Sequence, residues 1–163
     1  MEEDILNIIR DVHFLHDFPD DYLKPLASVA ALKDYAPGAV VFREGQKTSQ
    51  LYLIVTGSVA LEYCTPGLGC KRIQTVGRGE LLGWSPVLGL SDMTATARVL
   101  EPTTLVVVDA KQLVTLCEHN TRFGYEFMRR TALALSQRLS ATRLQLLDVF
   151  HHELPLIPEH GEV

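Results

Sequence analysis

Between residues 32 and 109, turn-forming residues recur at intervals of roughly ten positions, the spacing of short strands in all-β folds. The turns stand at Pro37-Gly38, Glu44-Gly45, Gly57, Pro66-Gly67, Gly77-Arg78-Gly79, Gly89 and Glu101-Pro102. The β-rich runs between them cover residues 39–42, 51–55, 59–63, 72–76, 94–99 and 104–108. Strands this short joined by tight turns indicate an antiparallel sandwich, roll or barrel.

Helical patterns flank this segment on both sides. An amphipathic stretch covers residues 2–11, and Asp20 or Asp21 is expected to cap a second helix over 22–31. After the β segment, Asp109 is expected to cap a helix over 110–118, and Thr121 a long helix over 122–150. A chain of 163 residues is long enough for one domain. We therefore predict a domain over 1–150, divided into N-terminal helices (1–31), a β segment (32–109) and C-terminal helices (110–150), with a flexible tail over 151–163.

The long helix carries an apolar repeat of the kind that joins two helices. The spacings alternate between 4 and 3 through seven positions, which we call the seam: Met128, Ala132, Leu135, Leu139, Thr142, Leu146 and Val149. A second stripe contains Phe127, Leu133, Leu144 and Leu147. We predict that one stripe rests on the β segment and that the seam forms a parallel homodimer. The alternative is a helix that packs only on its own domain.

Charge and hydropathy limit the partners of the chain. A net charge of -5 argues against sequence-independent nucleic-acid binding, which depends on a surplus of Lys and Arg. No apolar run approaches the ~18 residues of a membrane span. The acidic start Met1-Glu2-Glu3-Asp4 is unlike the basic start of a secretory signal. We therefore expect a cytoplasmic protein that binds neither nucleic acid nor membrane by this chain alone.

The cysteines and histidines predict no metal centre. Three cysteines without CxxC spacing favour free thiols in a cytosolic chain. Cys64 and Cys70 flank one turn, which leaves a disulfide across a hairpin open. The six histidines form no helix-spaced motif with carboxylates. Residues 32–109 contain no histidine, which argues against a metal-dependent enzyme of the cupin kind, because such enzymes need His and carboxylate ligands on their strands.

A glycine-punctuated segment from Gly77 to Pro86 suggests an anion site. Gly77, Gly79 and Gly83 precede Ser85-Pro86, a pair that suits a helix N-cap and first turn. A small-residue strand then returns from Met93. Backbone N–H groups at such a helix start bind phosphate, so the segment predicts a phosphate-binding cassette.

The order of these pieces resembles the cyclic nucleotide-binding domain, specifically the sensor half of the catabolite-activator type of bacterial regulator. The resemblance extends from Phe14-Leu15 to about Asp148 and is most specific over residues 51–59, a hairpin around Gly57. Pro37-Gly38 and residues 40–45 are similar to its first strand pair. It implies a mainly β fold with flanking helices, an antiparallel β-roll (jelly roll) followed by a long dimerisation helix, and a cyclic nucleotide or another small anionic ligand.

The resemblance also implies a set of ligand-binding positions. They are Gly83, Trp84, Ser85, Val87, Met93, Thr94 and Ala95 in the cassette, with Thr142 and Arg143 on the long helix at the base of the nucleotide. In the family a Glu that holds the ribose stands at the position of Trp84, and an Arg that pairs with the phosphate stands at the position of Met93. Pro86 has no N–H to donate, and Arg98 is expected to point to the opposite face of its strand. Trp84 has a plain alternative as a core residue, and Thr142 as a polar seam residue that sets register.

Two functions are open at this point. The first is a non-catalytic regulatory domain that senses a ligand, with altered or lost cyclic nucleotide specificity. The second is a structural dimerisation or protein-interaction module with a vestigial pocket. Regulators of this type continue into a DNA-binding helix-turn-helix, whereas this sequence ends after the long helix. We therefore expect it either to act through a protein partner or to lack an effector domain.

Overall fold

In the computed structural model, which describes residues 2–150 and Glu153, two antiparallel sheets are flanked by helices at both ends. The helices are α1 (Glu2–Arg10), α2 (Asp20–Ser28), α3 (Ala110–His119) and α4 (Thr121–Phe150), with a 3-10 turn at His13–Leu15. The strands are β1 (Ala30–Tyr35), β2 (Val40–Phe42), β3 (Gln50–Thr56), β4 (Val59–Thr65), β5 (Gly69–Val76), β6 (Leu81–Leu82), β7 (Thr96–Val99) and β8 (Thr103–Asp109). The predicted antiparallel β-roll with flanking helices is confirmed. Apart from Glu153, the predicted tail over 151–163 lies outside the described residues.

The sheet order explains where the core lies. One sheet has the order β1-β8-β3-β6 and the other the order β2-β7-β4-β5. Alternate residues of β3 enter two different apolar clusters, because successive side chains point to opposite faces of a strand. Leu51 and Leu53 pack with the helices, which we call the helical core. Tyr52 and Ile54 pack between the sheets, which we call the inter-sheet core. Strand β3 of the first sheet is therefore buried on both faces.

Gly57 forms the tight turn that the sequence predicts between β3 and β4. Its φ is +88°, in the left-handed region that glycine adopts without strain. A Cβ at this position would lie 2.2 Å from Oγ1 of Thr103. Both conformation and space therefore require glycine here.

The boundaries of the second helix differ from the prediction. The second helix begins at Asp20, with Pro19 as its N-cap and no side-chain cap, and ends at Ser28. The predicted helix over 22–31 was therefore wrong at its end, because the chain from Ala30 pairs with β8 instead. Strands β1 and β6 were not predicted. β1 is an exposed strand without apolar alternation, and β6 has only two residues.

Of the two caps predicted for the C-terminal helices, one is confirmed and the other is wrong. Asp109 caps α3, since its carboxylate accepts hydrogen bonds from the backbone N–H groups of Lys111 and Gln112. The cap of α4 is Asn120 rather than Thr121, because Oδ1 of Asn120 accepts from the N–H of Phe123 at 3.1 Å. The side-chain oxygen of Asn120 thus caps the first turn of α4, the role that was expected of Thr121.

Helix α4 is buried only near its beginning. Its buried residues are Phe123, Gly124, Phe127 and Thr131. Within the second stripe only Phe127 is buried, so the prediction that this stripe rests on the β segment was wrong for Leu133, Leu144 and Leu147. Met128 and Leu135 of the seam are half-buried, and its other five members are exposed. The homodimer through the seam stays a prediction.

The cysteines correct the expectation of free thiols. Cys64 and Cys70 face each other across the β4–β5 hairpin and form a disulfide, with their Cα atoms 4.0 Å apart. Direct register across the hairpin brings the two side chains together. Cys117 is free and half-buried.

No helix among the described residues is both long enough and apolar enough to cross a membrane.

Candidate functional site

The cassette turns away from β6 at Gly83. Its φ is +75°, and a Cβ there would lie 2.9 Å from Cδ2 of Tyr52 on the neighbouring strand β3. Any larger residue would have to displace that ring. Gly83 therefore lets the chain leave the sheet edge and pass directly over Tyr52.

The helix start predicted at Ser85-Pro86 is a hydrogen-bonded turn in the structure. The N–H of Val87 donates to the carbonyl of Trp84 at 3.0 Å, and the N–H of Leu90 donates to that of Ser85 at 2.9 Å. Gly89, at φ +74°, reverses the chain before a helix can continue. Within the described residues, the amides of Trp84 and Ser85 donate to no backbone or side-chain acceptor. They are two cassette donors that an anion could use.

A cavity of about 200 Å³ lies against this turn. It brings together seven of the predicted site residues: Gly83, Trp84, Ser85, Met93, Thr94, Ala95 and Thr142. The structure does not bring in Val87, which is buried in the helical core, or Arg143, whose Nη2 donates to Oγ of Ser140 at 3.2 Å. Of the seam residues, Leu135, Leu139 and Thr142 line the cavity.

Neither of the two positions that depart from the family carries a charge. Met93 is 3% exposed and packs in the inter-sheet core. Trp84 is half-buried and packs against the helical core, with the guanidinium of Arg138 4.5 Å from the centre of its ring. The plain interpretation of Trp84 as a core residue is therefore correct in part, because the same ring also lines the cavity.

Arg98 lies outside the cavity, as its place on the strand predicts. Its Nε is 3.0 Å from Oε2 of Glu62, and its Nη1 donates to the carbonyl of Gly38 at 3.2 Å. These bonds hold the guanidinium on β4 and the neighbouring turn, so Arg98 does not replace the charge missing at Met93.

The cation at the cavity is Arg138 of α4, which the sequence analysis missed. Its Nη2 donates to the carbonyl of Leu81, and its buried Nη1 has no hydrogen-bond partner among the described residues. Burial lowers the pKa of this guanidinium, while the nearby carboxylate of Glu80 acts in the opposite direction. The spacing along α4 could have revealed it. Position 138 lies three residues after Leu135 and four before Thr142, so the three side chains share one helical face.

A glutamine on β5 ties α4 to the sheet beside the cavity. Nε2 of Gln74 donates to the carbonyl of Arg138 and to Oγ1 of Thr142, both at 3.1 Å. Thr142 in turn donates to the carbonyl of Arg138 at 2.9 Å. Thr142 is therefore hydrogen-bonded within its own chain, and Gln74 is a second residue that sequence reasoning missed.

A second cavity, of about 610 Å³, lies on the other side of Arg138, between α4, β5 and the N-terminal segment around His13. Arg138 lines both cavities and so stands between them. No pattern in the sequence indicated this second space, because its walls come from three distant parts of the chain.

The residues that the structure describes contain no group of three or more His, Cys, Asp or Glu side chains that could hold a metal ion.

Comparisons with known proteins identify the family and the fold of this chain. Residues 32–120 match the family model of the cyclic nucleotide-binding domain, which confirms the resemblance inferred from the sequence. A curated relative, the HTH-type transcriptional regulator Cmr of Mycobacterium tuberculosis, is 26% identical over 139 residues, which is 83% of this chain and 53% of the regulator. The chain thus spans about half the length of that relative.

Solved structures share the fold. A cyclic nucleotide-binding domain from Methylobacillus flagellatus aligns with a TM-score of 0.78 and 22% identity, covering 96% of this chain and 86% of that one. The catabolite activator protein of Thermus thermophilus aligns with a TM-score of 0.68 and 24% identity, covering 85% of this chain and 62% of the activator. At these identities the likeness is one of fold.

Proposed function

This chain belongs to the cyclic nucleotide-binding domain family, and we propose that it is a non-catalytic regulatory domain whose pocket has lost the usual preference for cyclic nucleotides. The observation that carries the proposal is the burial of Met93 at the position of the family's phosphate-binding Arg. Its side chain is 3% exposed and belongs to the inter-sheet core, so this position offers an anion an apolar wall.

The expected loss of affinity follows from the two missing contacts. A hydrogen bond to a charged group contributes roughly 1.5–3 kcal/mol, and an Arg–phosphate pair is often bidentate. The absence of both the Arg at Met93 and the Glu at Trp84 is expected to cost about 3–6 kcal/mol, or roughly 10²- to 10⁴-fold in affinity. A site that was micromolar in the family pattern would become nearly millimolar.

What remains is a partial anion site. The amides of Trp84 and Ser85 have no acceptor among the described residues, and Ser85 and Thr94, which carry hydroxyl groups, line the same cavity. These groups suit a ligand smaller than a nucleotide or one with less charge. A cyclic nucleotide or another small anion is therefore the ligand class to test.

The long helix links this cavity to assembly. Leu135, Leu139 and Thr142 belong both to the predicted dimer seam and to the cavity wall. A ligand that contacts them would favour one position of α4 over another, because a ligand shifts an equilibrium by its differential affinity for the two states. We therefore propose that the domain is a homodimer that signals through a shift of α4 to a protein partner or to a further domain.

The direct test is calorimetry with cyclic AMP on the wild type and on the double variant Met93→Arg with Trp84→Glu. We expect the wild type to bind no tighter than roughly 100 µM and the variant to bind at least about tenfold tighter, as one restored charged contact requires. Ser91→Arg is the matched control, because it adds one positive charge two residues away at an exposed position outside the cavity. Low-micromolar binding by the wild type would contradict the proposal.

The alternative function is a dimerisation or protein-interaction module with a vestigial pocket. The observation that favours it is the packing of Trp84 and Met93 against the two cores, which leaves only about 200 Å³ of space. Under this alternative, no cyclic nucleotide or small anion raises the thermal midpoint, while the oligomeric state is unchanged. A ligand that binds the folded state would raise the midpoint and exclude it.

A further inference from the structure

Arg138 is bonded differently from the arginines that form ion pairs in this domain. Arg10, Arg98 and Arg129 each have a carboxylate partner. Arg138 is bonded to the carbonyl of Leu81, and among the described residues no carboxylate lies within ion-pair distance of it. Its positive charge is therefore not neutralised by a direct contact within the described part of the chain.

One nitrogen of this guanidinium points to a missing acceptor. Nη1 of Arg138 is buried and has no hydrogen-bond partner among the described residues. Buried polar groups in native proteins are nearly always hydrogen-bonded, and an exception calls for an explanation such as a bound ion. The ring of Trp84 covers the face of the guanidinium, so in-plane N–H groups are what it can offer to an anion.

Further residues with donor groups line the cavity of about 200 Å³, one of the two cavities that Arg138 lines. Trp84, Ser85 and Thr94 belong to the same wall, and the amides of Trp84 and Ser85 have no acceptor among the described residues. Arg138 reaches this wall from α4, whereas the other donors come from the cassette. An anion between them would be held by a charge on one side and by neutral donors on the other, the arrangement that makes hydrogen bonds short and strong.

The rest of the cavity is small and mostly apolar, with Tyr63, Gln74 and Thr142 as its other polar residues. Its wall includes the side chains of Phe42, Leu61, Leu82, Met93, Leu135 and Leu139. Its volume of about 200 Å³ is below the roughly 300–1,000 Å³ of pockets that hold drug-sized ligands, a class that includes nucleotides. Because the cavity wall contains one cation and is otherwise mostly apolar, it fits a ligand with one negative charge on a compact hydrocarbon group.

We propose that the cavity binds a small organic monocarboxylate, whose carboxylate pairs with Nη1 of Arg138 and whose apolar part contacts Met93, Leu135 and Leu139. This inference rests on the proposed ligand-sensing function and names the ligand class. Because Arg138, Leu135 and Leu139 all belong to α4, binding such a ligand would clamp this helix onto the cassette.

The test uses the full chain with benzoate and phenylacetate as probes, by calorimetry and thermal shift. Benzamide is the neutral counterpart of benzoate, with the same shape and no charge. We expect both carboxylates to raise the midpoint and benzamide to bind at least tenfold more weakly. Sodium sulfate and sodium chloride at equal ionic strength test whether an inorganic anion is sufficient, and we expect a smaller shift with either.

Variants of α4 then test the assigned residue. Arg138→Gln should weaken benzoate binding at least tenfold, whereas Arg138→Lys, which keeps the charge, should recover part of the affinity. Arg122→Gln is the matched control, since it removes a positive charge from the same helix at an exposed position outside both cavities. If Arg138→Gln does not fold by circular dichroism, the comparison of benzoate with benzamide on the wild type decides the question.

The outcomes separate the two proposals. Equal binding of benzoate and benzamide, or carboxylate binding that Arg138→Gln leaves intact in a folded variant, would overturn the role of Arg138 while leaving a ligand sensor. Failure of every probe and of cyclic AMP to bind would overturn the ligand-sensing function itself. Tight binding of cyclic AMP with no carboxylate binding would overturn the inference and favour the family's usual ligand.

Discussion

The two halves of α4 are one continuous helix in two different environments. In the first half, Phe123, Gly124, Phe127 and Thr131 are buried against α3 and the N-terminal segment. In the second half, which starts at Leu139, every described side chain except that of Ser140 is exposed. Five large apolar side chains lie there at 53% exposure or more: Leu139, Leu144, Leu146, Leu147 and Val149.

The difference shows how each half is stabilised. Most helical stability in proteins comes from packing of an apolar face rather than from intrinsic propensity. The first half has that packing within its own chain. Among the described residues, the hydrogen bond that joins the second half to a strand runs from Nε2 of Gln74 to Oγ1 of Thr142 beside the cavity. A run of exposed apolar residues marks an interaction surface, which is why we propose that this half forms the interface of a homodimer.

The largest expected difference between the two halves of α4 is the loss of stability when a large side chain is removed from each. Phe127 is fully buried, and its ring lies 5.2 Å from that of Phe14. Phe127→Ala is expected to lower the free energy of unfolding by about 3–5 kcal/mol. Leu147→Ala, at an exposed position outside the seam, is the control and should change it by less than about 0.5 kcal/mol. Urea denaturation measures both, and equal losses would show that the halves do not differ.

The next effect concerns assembly. Leu139→Asp places a charge in the seam of both protomers and removes two leucines from the interface, each contributing about 1.5 kcal/mol or more when buried. We expect the dimer to weaken by about 3 kcal/mol, or roughly 100-fold, with the monomer still folded. Gln137→Asp, about 200° around the helix from Leu139, should leave the dimer intact. Light scattering measures the mass, and a monomeric wild type at high concentration would contradict the seam.

A smaller effect is expected where α3 and α4 touch. A Cβ at Gly124 would lie 2.8 Å from the carbonyl oxygen of Cys117, so Gly124→Ala must push the two helices apart. Overpacking of this kind costs about 1–3 kcal/mol, and the better helix propensity of Ala offsets about 1 kcal/mol of it. Ser136→Ala, at an exposed position of α4, is the control and should be neutral or slightly stabilising. A stabilised Gly124→Ala would show that the packed half tolerates separation.

The smallest effect is chemical. Burial raises the pKa of the Cys117 thiol, so the protonated form persists to higher pH than in an exposed cysteine. Since the thiolate is the reactive form, Cys117 is expected to react more slowly with iodoacetamide at pH 8 than a cysteine introduced by Gln137→Cys in the same chain. The rate for Cys117 should keep rising with pH beyond the point where the introduced cysteine levels off. Mass spectrometry distinguishes the two sites, and equal rates would place Cys117 in an open environment.

Much of the fold could be predicted because its signals are local. Glycine at position 57 and the acidic cap at Asp109 each act on a few neighbouring residues, and the structure contains both. Errors occurred where a distant partner decided the outcome. Ala30 continues a helical pattern in the sequence, but in the structure its backbone pairs with Val108, and the strand begins there.

The sequence predicted the part of the candidate site that the cassette forms, but not the part that α4 forms. The cassette residues are close in sequence, so their pattern could be recognised as a unit. Arg138 could not be recognised in the same way, because it reaches the cavity from α4 and lies 57 residues from Leu81, to which it is bonded. The disulfide between Cys64 and Cys70 depended likewise on the register of the β4–β5 hairpin, which composition does not encode.

By itself, the sequence determined the antiparallel roll, the family pattern and the absence of charge at positions 84 and 93, because each follows from residue types at fixed local spacing. Only the tertiary structure decided which cation faces the cavity and which half of α4 is buried. Both depend on contacts between segments far apart in the chain, where the free energy of packing is set by neighbours that no local window contains.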